Sequence, residues 1–309
     1  MTTAHPFVIE AHGLTKRYGP HLAVDGLSFT VQPGRVTGFL GPNGAGKSTT
    51  MRLLLELDRP DRGHATIGGR PYRDLPRPLC TVGALLEAGA AHPGRSAYHH
   101  LLFLARTQGL PRRRVGEVID AVGFDSAARR RTGGFSLGMA QRLGIAAALL
   151  GDPPILIFDE PQNGLDPAGV VWIRTLMRRL AAEGRTVLVS SHLMNEMAVT
   201  ADHLLVISRG RLIADCPVAE FVAGGPARAD GAGRSVRVRT PEPGTLTNLL
   251  ERHGAKVAVE GDGSLLVTGL DAPEIAEIAA EHRIILHELA TAAASLEDAF
   301  MRLMNEARA

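Results

Sequence analysis

Gly41-Pro42-Asn43-Gly44-Ala45-Gly46-Lys47-Ser48-Thr49 fits the pattern G-x-x-x-x-G-K-[ST], a glycine-rich turn that cradles phosphate groups. Upstream, Arg35-Val36-Thr37-Gly38-Phe39-Leu40 reads as a short apolar strand. Downstream, Thr50-Met51-Arg52-Leu53-Leu54-Leu55 reads as the body of a helix. A glycine loop between strand and helix gathers successive backbone N–H groups and a helix N-terminus around one anion. The chain is therefore expected to bind a nucleotide triphosphate together with a metal ion. Lys47 strengthens this. Lys+Arg is 34, yet the only lysines are Lys16, Lys47 and Lys256. A chain that otherwise uses arginine has a compact ammonium where one must reach β- and γ-phosphates.

Composition narrows the class. The 309 residues suffice for one large or two ordinary domains. A net charge of +2 gives no reason to expect a nucleic-acid partner. The runs Arg112-Arg113-Arg114 and Arg129-Arg130-Arg131 read as solvated helix faces. Cys80 and Cys216 form no C-x-x-C, so neither a disulfide framework nor a zinc site is expected, and a reducing cytosol fits. The first six residues lack the pattern of a signal peptide. No run reaches the ~18 apolar residues of a membrane span; the best, Leu143 to Phe158, is broken by Gly151-Asp152-Pro153-Pro154.

Around the loop, residues 7–31 alternate apolar and polar positions, as antiparallel strands do, with turns at Gly19-Pro20 and Pro33-Gly34. Residues 63–69 read as another strand, and Ser96 to Leu150 as helical. Ile155-Leu156-Ile157-Phe158 is wholly apolar, as in a buried parallel sheet. A helix at Pro167–Glu183 and a strand at Thr186-Val187-Leu188-Val189-Ser190 continue a β-α-β rhythm, closed by strands near 204–207 and 211–213. Residues 224–234 are a linker by composition. The boundaries are thus 1–223 for a nucleotide-binding domain and 235–309 for a small α+β domain. The latter reads β-α-β-β-α-β, a ferredoxin-like order, with strands at 235–240, 256–268 (a pair) and 283–289, helices at 243–253 and 272–282, and an extra helix at 295–307.

The apolar strand ends in Asp159-Glu160-Pro161. A carboxylate at the C-terminal end of a central strand can sit beside bound phosphates. Asp159 is the metal-side candidate, with the Ser48 hydroxyl. Glu160 is the candidate to orient and deprotonate an attacking water. In Phe135-Ser136-Leu137-Gly138-Met139-Ala140-Gln141-Arg142 the serine is first of all a helix N-cap. With the helix N-terminus it can also meet an anion from outside the subunit.

Together these motifs resemble the ATPase subunit of an ABC transporter. The glycine loop matches Walker A, and Ile155–Glu160 resembles Walker B. Ser136-Leu137-Gly138-Met139 is similar to the signature in variant form. Asn163-Gly164-Leu165-Asp166-Pro167 resembles the D-loop, Ser190-Ser191-His192 the switch histidine, and Tyr18 the aromatic that stacks on adenine. The resemblance covers residues 7–215. It implies a P-loop ABC cassette of the α/β class, with a RecA-like core, an antiparallel β subdomain and a helical subdomain, that binds and hydrolyses ATP with Mg2+. It also implies two subunits packed head to tail, each ATP lying between the Walker loop of one and the signature helix of the other. Gly41, Pro42, Asn43, Gly44, Ala45, Gly46, Lys47, Ser48 and Thr49 would then bind ATP in cis, with Tyr18 on the base. Ser136 and Gly138 would act in trans, with Asp166 in the D-loop, and His192 would position Glu160 and water.

Four positions depart from the family pattern. Glu87, in Val82-Gly83-Ala84-Leu85-Leu86-Glu87, stands where a glutamine is usual and would reach Mg2+ or its water as a charged acceptor. The signature has Leu137 and Met139 in place of Gly and Gln. Gln162 follows Asp-Glu-Pro. Glu87 with Ser-Leu-Gly-Met resembles single-cassette bacterial exporters, including those conferring antibiotic self-resistance. Residues 235–309, notably Ser295-Leu296-Glu297-Asp298-Ala299-Phe300, resemble their C-terminal extension. The implied partner is a separate multispanning permease at the cytoplasmic face of the membrane. Its short helix would meet a groove near Ala90-Ala91-His92-Pro93 and Tyr98. The alternative is a soluble ABC-type switch acting on ribosomes or DNA. One cassette without a heptad insert argues against it. His99-His100 lack companions for a metal site and read as surface or core.

Overall fold

The computed structural model describes residues 7–223, 236–291 and 296–306. The alternating N-terminal segment forms β1 (Ile9–Tyr18) and β2 (His21–Val31), antiparallel, with Ile9 opposite Val31 and Tyr18 opposite His21. Their inward residues Ile9, Leu14, Val24 and Leu27 are buried. The strand before the glycine loop is β3 (Val36–Leu40), buried at every residue; the helix after it is α1 (Lys47–Leu54). β4 (Arg62–Ile67) pairs with the free side of β1, giving a three-stranded sheet of order β2-β1-β4. There follow α2 (Pro78–Thr81), β5 (Val82–Leu85), and the helical segment α3 (Ala97–Thr107), α4 (Arg112–Ala121) and α5 (Leu137–Leu149). The β-α-β rhythm is then β6 (Ile155–Asp159), α6 (Pro167–Ala182), β7 (Thr186–Ser191), α7 (Met194–Thr200), β8 (His203–Ser208) and β9 (Arg211–Pro217).

The second sheet has the order β5-β6-β7-β3-β8-β9 and is parallel except for β9. Both of its faces are covered, so the central strands are mainly apolar; Phe39 and Phe158 are fully buried, with Thr37, Ser190 and Ser191 buried among them. Register makes the site. Leu40 lies opposite Ser191, and Asp159 opposite Ser190. The glycine loop, Asp159-Glu160 and His192 therefore leave the sheet side by side, at the carboxyl ends where open α/β sheets bind ligands.

One arginine run departs from expectation. Arg112–Arg114 open α4, but Arg129–Arg131 form no helix. Ala97 N–H donates to the Arg130 carbonyl (3.2 Å) and Tyr98 N–H to that of Ala128 (2.8 Å), while Arg130 N–H donates to Ala127 O (2.9 Å), so the run leaves a turn and is fastened to the start of α3.

The described residues divide into two compact units, one ending at Val218 and one spanning Ala219–Glu306. The division falls within α8 (Val218–Ala223), just before the boundary read at 223. The 224–234 linker, residues 1–6 and Ser295 lie outside the described residues. The second unit runs β10 (Val236–Arg239), α9 (Pro243–Arg252), β11 (Lys256–Val259), β12 (Leu265–Thr268), α10 (Ala272–Glu281), β13 (Glu288–Thr291) and α11 (Leu296–Glu306). Its sheet, β11-β12-β10-β13, is antiparallel throughout. That is the expected ferredoxin-like order. Val236, Val238, Leu246, Leu250, Val267 and Ile275 form its core. The last strand starts later than the expected 283. Arg283 takes φ 57°, Arg283 N–H donates to Ala280 O (3.1 Å) and Ile284 N–H to Ala279 O (2.8 Å). This is a Schellman-type helix end, and it buries Ile284 without a strand.

Candidate functional site

The loop after β3 owes its shape to glycine. Gly46 has φ 105°, and a Cβ there would lie 2.4 Å from the Ala23 carbonyl oxygen; one on Gly41 would lie 2.4 Å from that of Ile207. No other residue fits either place. Gly41 and Ala45 are buried and fasten the loop: Gly210 N–H donates to Ala45 O (3.0 Å). Pro42, Asn43, Gly44 and Ser48 are exposed, and Thr49 is half-buried. Lys47 is 7% exposed, and its ammonium donates to Gly41 O (2.6 Å) and Pro42 O (3.3 Å). Burial pushes the Lys47 pKa down, opposed by the charges of Glu160 and Asp159. An ammonium held in this way is poised to exchange carbonyl partners for phosphate oxygens.

The loop floors a cleft of about 390 Å3 lined by His21, Ala23, Asn43, Gly44, Gly46, Lys47, Ser48, Thr49, Glu160, Asn163 and His192. Across it, the Ser190 hydroxyl donates to the Asp159 carboxylate and accepts from Glu160 N–H (2.9 Å). Glu160 has φ 49°, a left-handed backbone that non-glycine residues adopt at a cost. Its peptide is clamped from the other side by the buried Gln141, whose amide donates to Glu160 O (3.0 Å). The Glu160 side chain meets His192, Nδ1 to Oε2 at 2.7 Å. With the carboxylate ionised, Nδ1 carries a proton and donates to it.

Glu87 lies elsewhere. With Ser48 and Asp159 it lines an adjoining groove of about 660 Å3, otherwise mainly apolar, that includes Leu57, Leu86, Ala90, Ala91, Leu104 and Leu143. Of the segment expected at a groove, Ala90 and Ala91 line this one and His92 and Pro93 do not. Tyr98 does not, because it lines a separate cavity with Arg112. Tyr18 flanks the cleft without lining it. Its hydroxyl bonds Asp58 Oδ2 (2.6 Å), and the Lys16 ammonium lies 5.2 Å from the ring centroid. Asp166 caps α6, accepting from Gly169 N–H (2.8 Å). Ser136 caps α5, accepting from Met139 N–H (3.3 Å).

Ser136 and Gly138 do not reach the cleft of their own chain. The signature packs on the D-loop: a Cβ on Gly138 would lie 2.5 Å from Gly164 O, and one on Gly164 would lie 2.5 Å from Leu137 Cγ. Around the cleft, His21, Ala23 and Gln141 were not among the sequence candidates, and Asn163 was named only as part of the D-loop resemblance. His21 was signalled by the turn that follows Tyr18, and Asn163 by its place next to the Walker B segment. Gln141 carried no separate signal, since a glutamine on the signature helix reads equally as solvated.

Residues 24–163 match the family described as ABC transporter, and residues 234–297 match a domain of unknown function (DUF8746). Over 302 residues the chain is 35% identical to the Nod factor export ATP-binding protein I of Burkholderia pseudomallei, covering 96% of each. It is 40% identical over 213 residues to the bacitracin transport ATP-binding protein BcrA of Bacillus licheniformis, covering 68% of this chain and 70% of that one. Among solved structures, an ATP-binding subunit of an ABC transporter superposes with a TM-score of 0.64 at 26% identity, over 70% of this chain and 92% of that one.

Proposed function

Because the chain belongs to the ABC transporter family of ATP-hydrolysing subunits, we propose that it powers export of a drug, antibiotic or other hydrophobic compound through a separate multispanning permease. The relatives named for bacitracin transport and Nod factor export support this direction. No helix among the described residues is long and apolar enough to cross a membrane. The spanning helices belong, in this reading, to the permease, which holds the subunit at the cytoplasmic face. The groove beside Glu87, with its aliphatic wall, is the place for the permease to press. No nucleic acid takes part.

The observation that carries the catalytic reading is the Glu160–His192 pair, 2.7 Å apart, facing Lys47 and Ser48 across one cleft. Lys47 and the N–H groups of residues 44–49 hold the ATP phosphates, and Tyr18 takes the base. The nearby oxygens are the Ser48 hydroxyl and the Asp159 and Glu87 carboxylates. Hard oxygen donors of this kind suit Mg2+, which when bound neutralises phosphate charge. Glu160 accepts the proton of the attacking water, and His192 fixes the carboxylate's direction through Nδ1–H; with a second proton on Nε2 the ring also donates to the γ-phosphate. Ser136 and Gly138 complete the site from a second copy packed head to tail, beside Asp166. Neither half alone neutralises the phosphate.

Glu160→Gln should stall the cycle with nucleotide bound and a dimer stable in size-exclusion chromatography. Wild-type turnover in that variant would refute Glu160 as base. Co-purification from detergent extract tests the partner: a multispanning protein supports the export reading, and ribosomal RNA in its place overturns it.

A further inference from the structure

A separate cavity, of about 700 Å3, opens in the helical segment between the starts of α3 and α4. Its wall carries Ser96, Tyr98, His99, Arg112, Arg129 and Arg131, and no carboxylate. We propose that it binds a phosphate-bearing anion, distinct from the nucleotide of the glycine-loop cleft.

Arg112 is the first residue of α4 and Ser96 caps α3, so two helices aim their positive ends at the same space. Neither has an acidic residue in its first turn. Cations at such ends are unfavourable unless an anion offsets them. Two residues on, the same helix shows what neutralisation looks like: Arg114 pairs with Glu117 (2.9 Å) and Asp152 (3.4 Å). Arg112, Arg129 and Arg131 have no ion pair among the described residues.

The cations are also held in place. The segment carrying Arg129 and Arg131 is tied to α3 by the Ala97–Arg130 and Tyr98–Ala128 hydrogen bonds and by a bridge between Ser96 and Arg131. Arg129 and Arg131 both line the cavity, while Arg130 is not on its wall. Arg112 Nε donates to the Tyr98 hydroxyl (2.6 Å) and stacks over that ring. This leaves the guanidinium NH2 groups and the phenolic proton for an oxyanion. Forked guanidiniums with a hydroxyl donor match a phosphate group. The volume leaves room for what the phosphate is attached to.

The test uses the full chain with Mg-ADP saturating the glycine-loop cleft. Pyrophosphate is titrated by calorimetry, and binding to vesicles of phosphatidylcholine is compared with vesicles containing phosphatidylglycerol. Saturable pyrophosphate binding points to a soluble phosphate. Binding only to phosphatidylglycerol vesicles points to a lipid headgroup. Either supports the site if the double variant Arg129→Gln/Arg131→Gln weakens it by about ten-fold or more while Arg113→Gln, off the cavity wall, leaves it unchanged. No binding in either arm overturns the proposal. So does an equal loss in Arg113→Gln, which would mean general charge attraction. Unchanged thermal melting of the variants excludes unfolding as the cause. None of these arms depends on the export reading.

Discussion

The glycine-loop cleft and the signature segment are built to opposite plans. The first is anchored from within: Lys47 is buried, Gly41 and Gly46 touch neighbouring backbone, and Glu160 is clamped on both sides of its peptide. The second lies at the surface. Ser136 is exposed, Leu137 is 58% exposed, and both stand apart from the cleft that the first surrounds. A rigid half with acid, base and cation in place, beside a capped helix tip facing solvent, is what a site shared between two copies requires. The link inside one copy is Gln141, which belongs to the signature helix yet holds the backbone of Glu160.

The largest effects should come from the anchored half. Lys47→Ala is expected to lower ATPase turnover by about 10³-fold, as loss of a preorganised charge partner does. Glu160→Gln is expected to cost roughly 10²–10⁴-fold as loss of a general base, with ATP still bound. A coupled assay of phosphate release, with nucleotide binding measured in parallel, checks both. Wild-type rates in Lys47→Ala would remove the anchored half from the chemistry.

Mixing tests the separation directly. Chains carrying Lys47→Ala and chains carrying Ser136→Glu should each be inactive. In mixed dimers one site combines the intact loop of one chain with the intact signature of the other. Activity should return to a fraction of wild type, rising with the proportion of mixed dimers. If mixtures stay as inactive as their components, the two halves are not shared between copies.

Gln141 sharpens the comparison from the linking side. Gln141→Leu leaves the Glu160 carbonyl without its buried donor, and an unmet buried acceptor costs about 1–3 kcal/mol. Part of that strain falls on the left-handed Glu160 backbone. Turnover should fall about ten-fold with little change in the KM for ATP, because the phosphate contacts are untouched. A matched rise in KM would place Gln141 in binding instead.

How much of this was legible follows the same division. The anchored half is local in sequence. Glycines at fixed spacing, an apolar run ending in Asp159-Glu160, and β-α-β spacing dictate a parallel sheet with its loops at one edge. The ferredoxin-like second unit could be read from its alternation, up to the strand that Ile284-Ile285 mimicked. Non-local hydrogen bonds were not legible. Nothing in the sequence joins Gln141 to Glu160, or fastens the segment carrying Arg129–Arg131 to the start of α3. Leu137 was visible as a departure, but its packing against Gly164 became apparent only in three dimensions.

The smallest expected effect lies at the rim of the anchored half, where Tyr18 is 44% exposed. Its hydroxyl donates to Asp58, which also takes Arg52 Nε at 2.8 Å. Those two partners hold the Asp58 pKa down at about 2, and the same hydrogen bond raises that of Tyr18 above its ordinary 10.0. The signs are opposite. The Asp58 contribution to stability is present above its ordinary 3.8 and is lost as pH falls toward 2; that of Tyr18 is present below 10.0 and is lost as pH rises through its folded value. Asp58→Asn should therefore lower the Tyr18 midpoint toward 10.0, read by absorbance of the phenolate. Lys16 covers one face of the ring, so only the other can take a base. Freed from Asp58, the ring loses its fixed angle, and the KM for ATP should rise a few-fold, in line with about 0.5–1.5 kcal/mol for a stacked pair. Turnover at saturation should hold, since Glu160 and His192 are untouched. An unchanged KM alongside a shifted midpoint would show that Tyr18 packs at the surface and takes no part in holding the nucleotide, shrinking the anchored half to the phosphate end of the cleft.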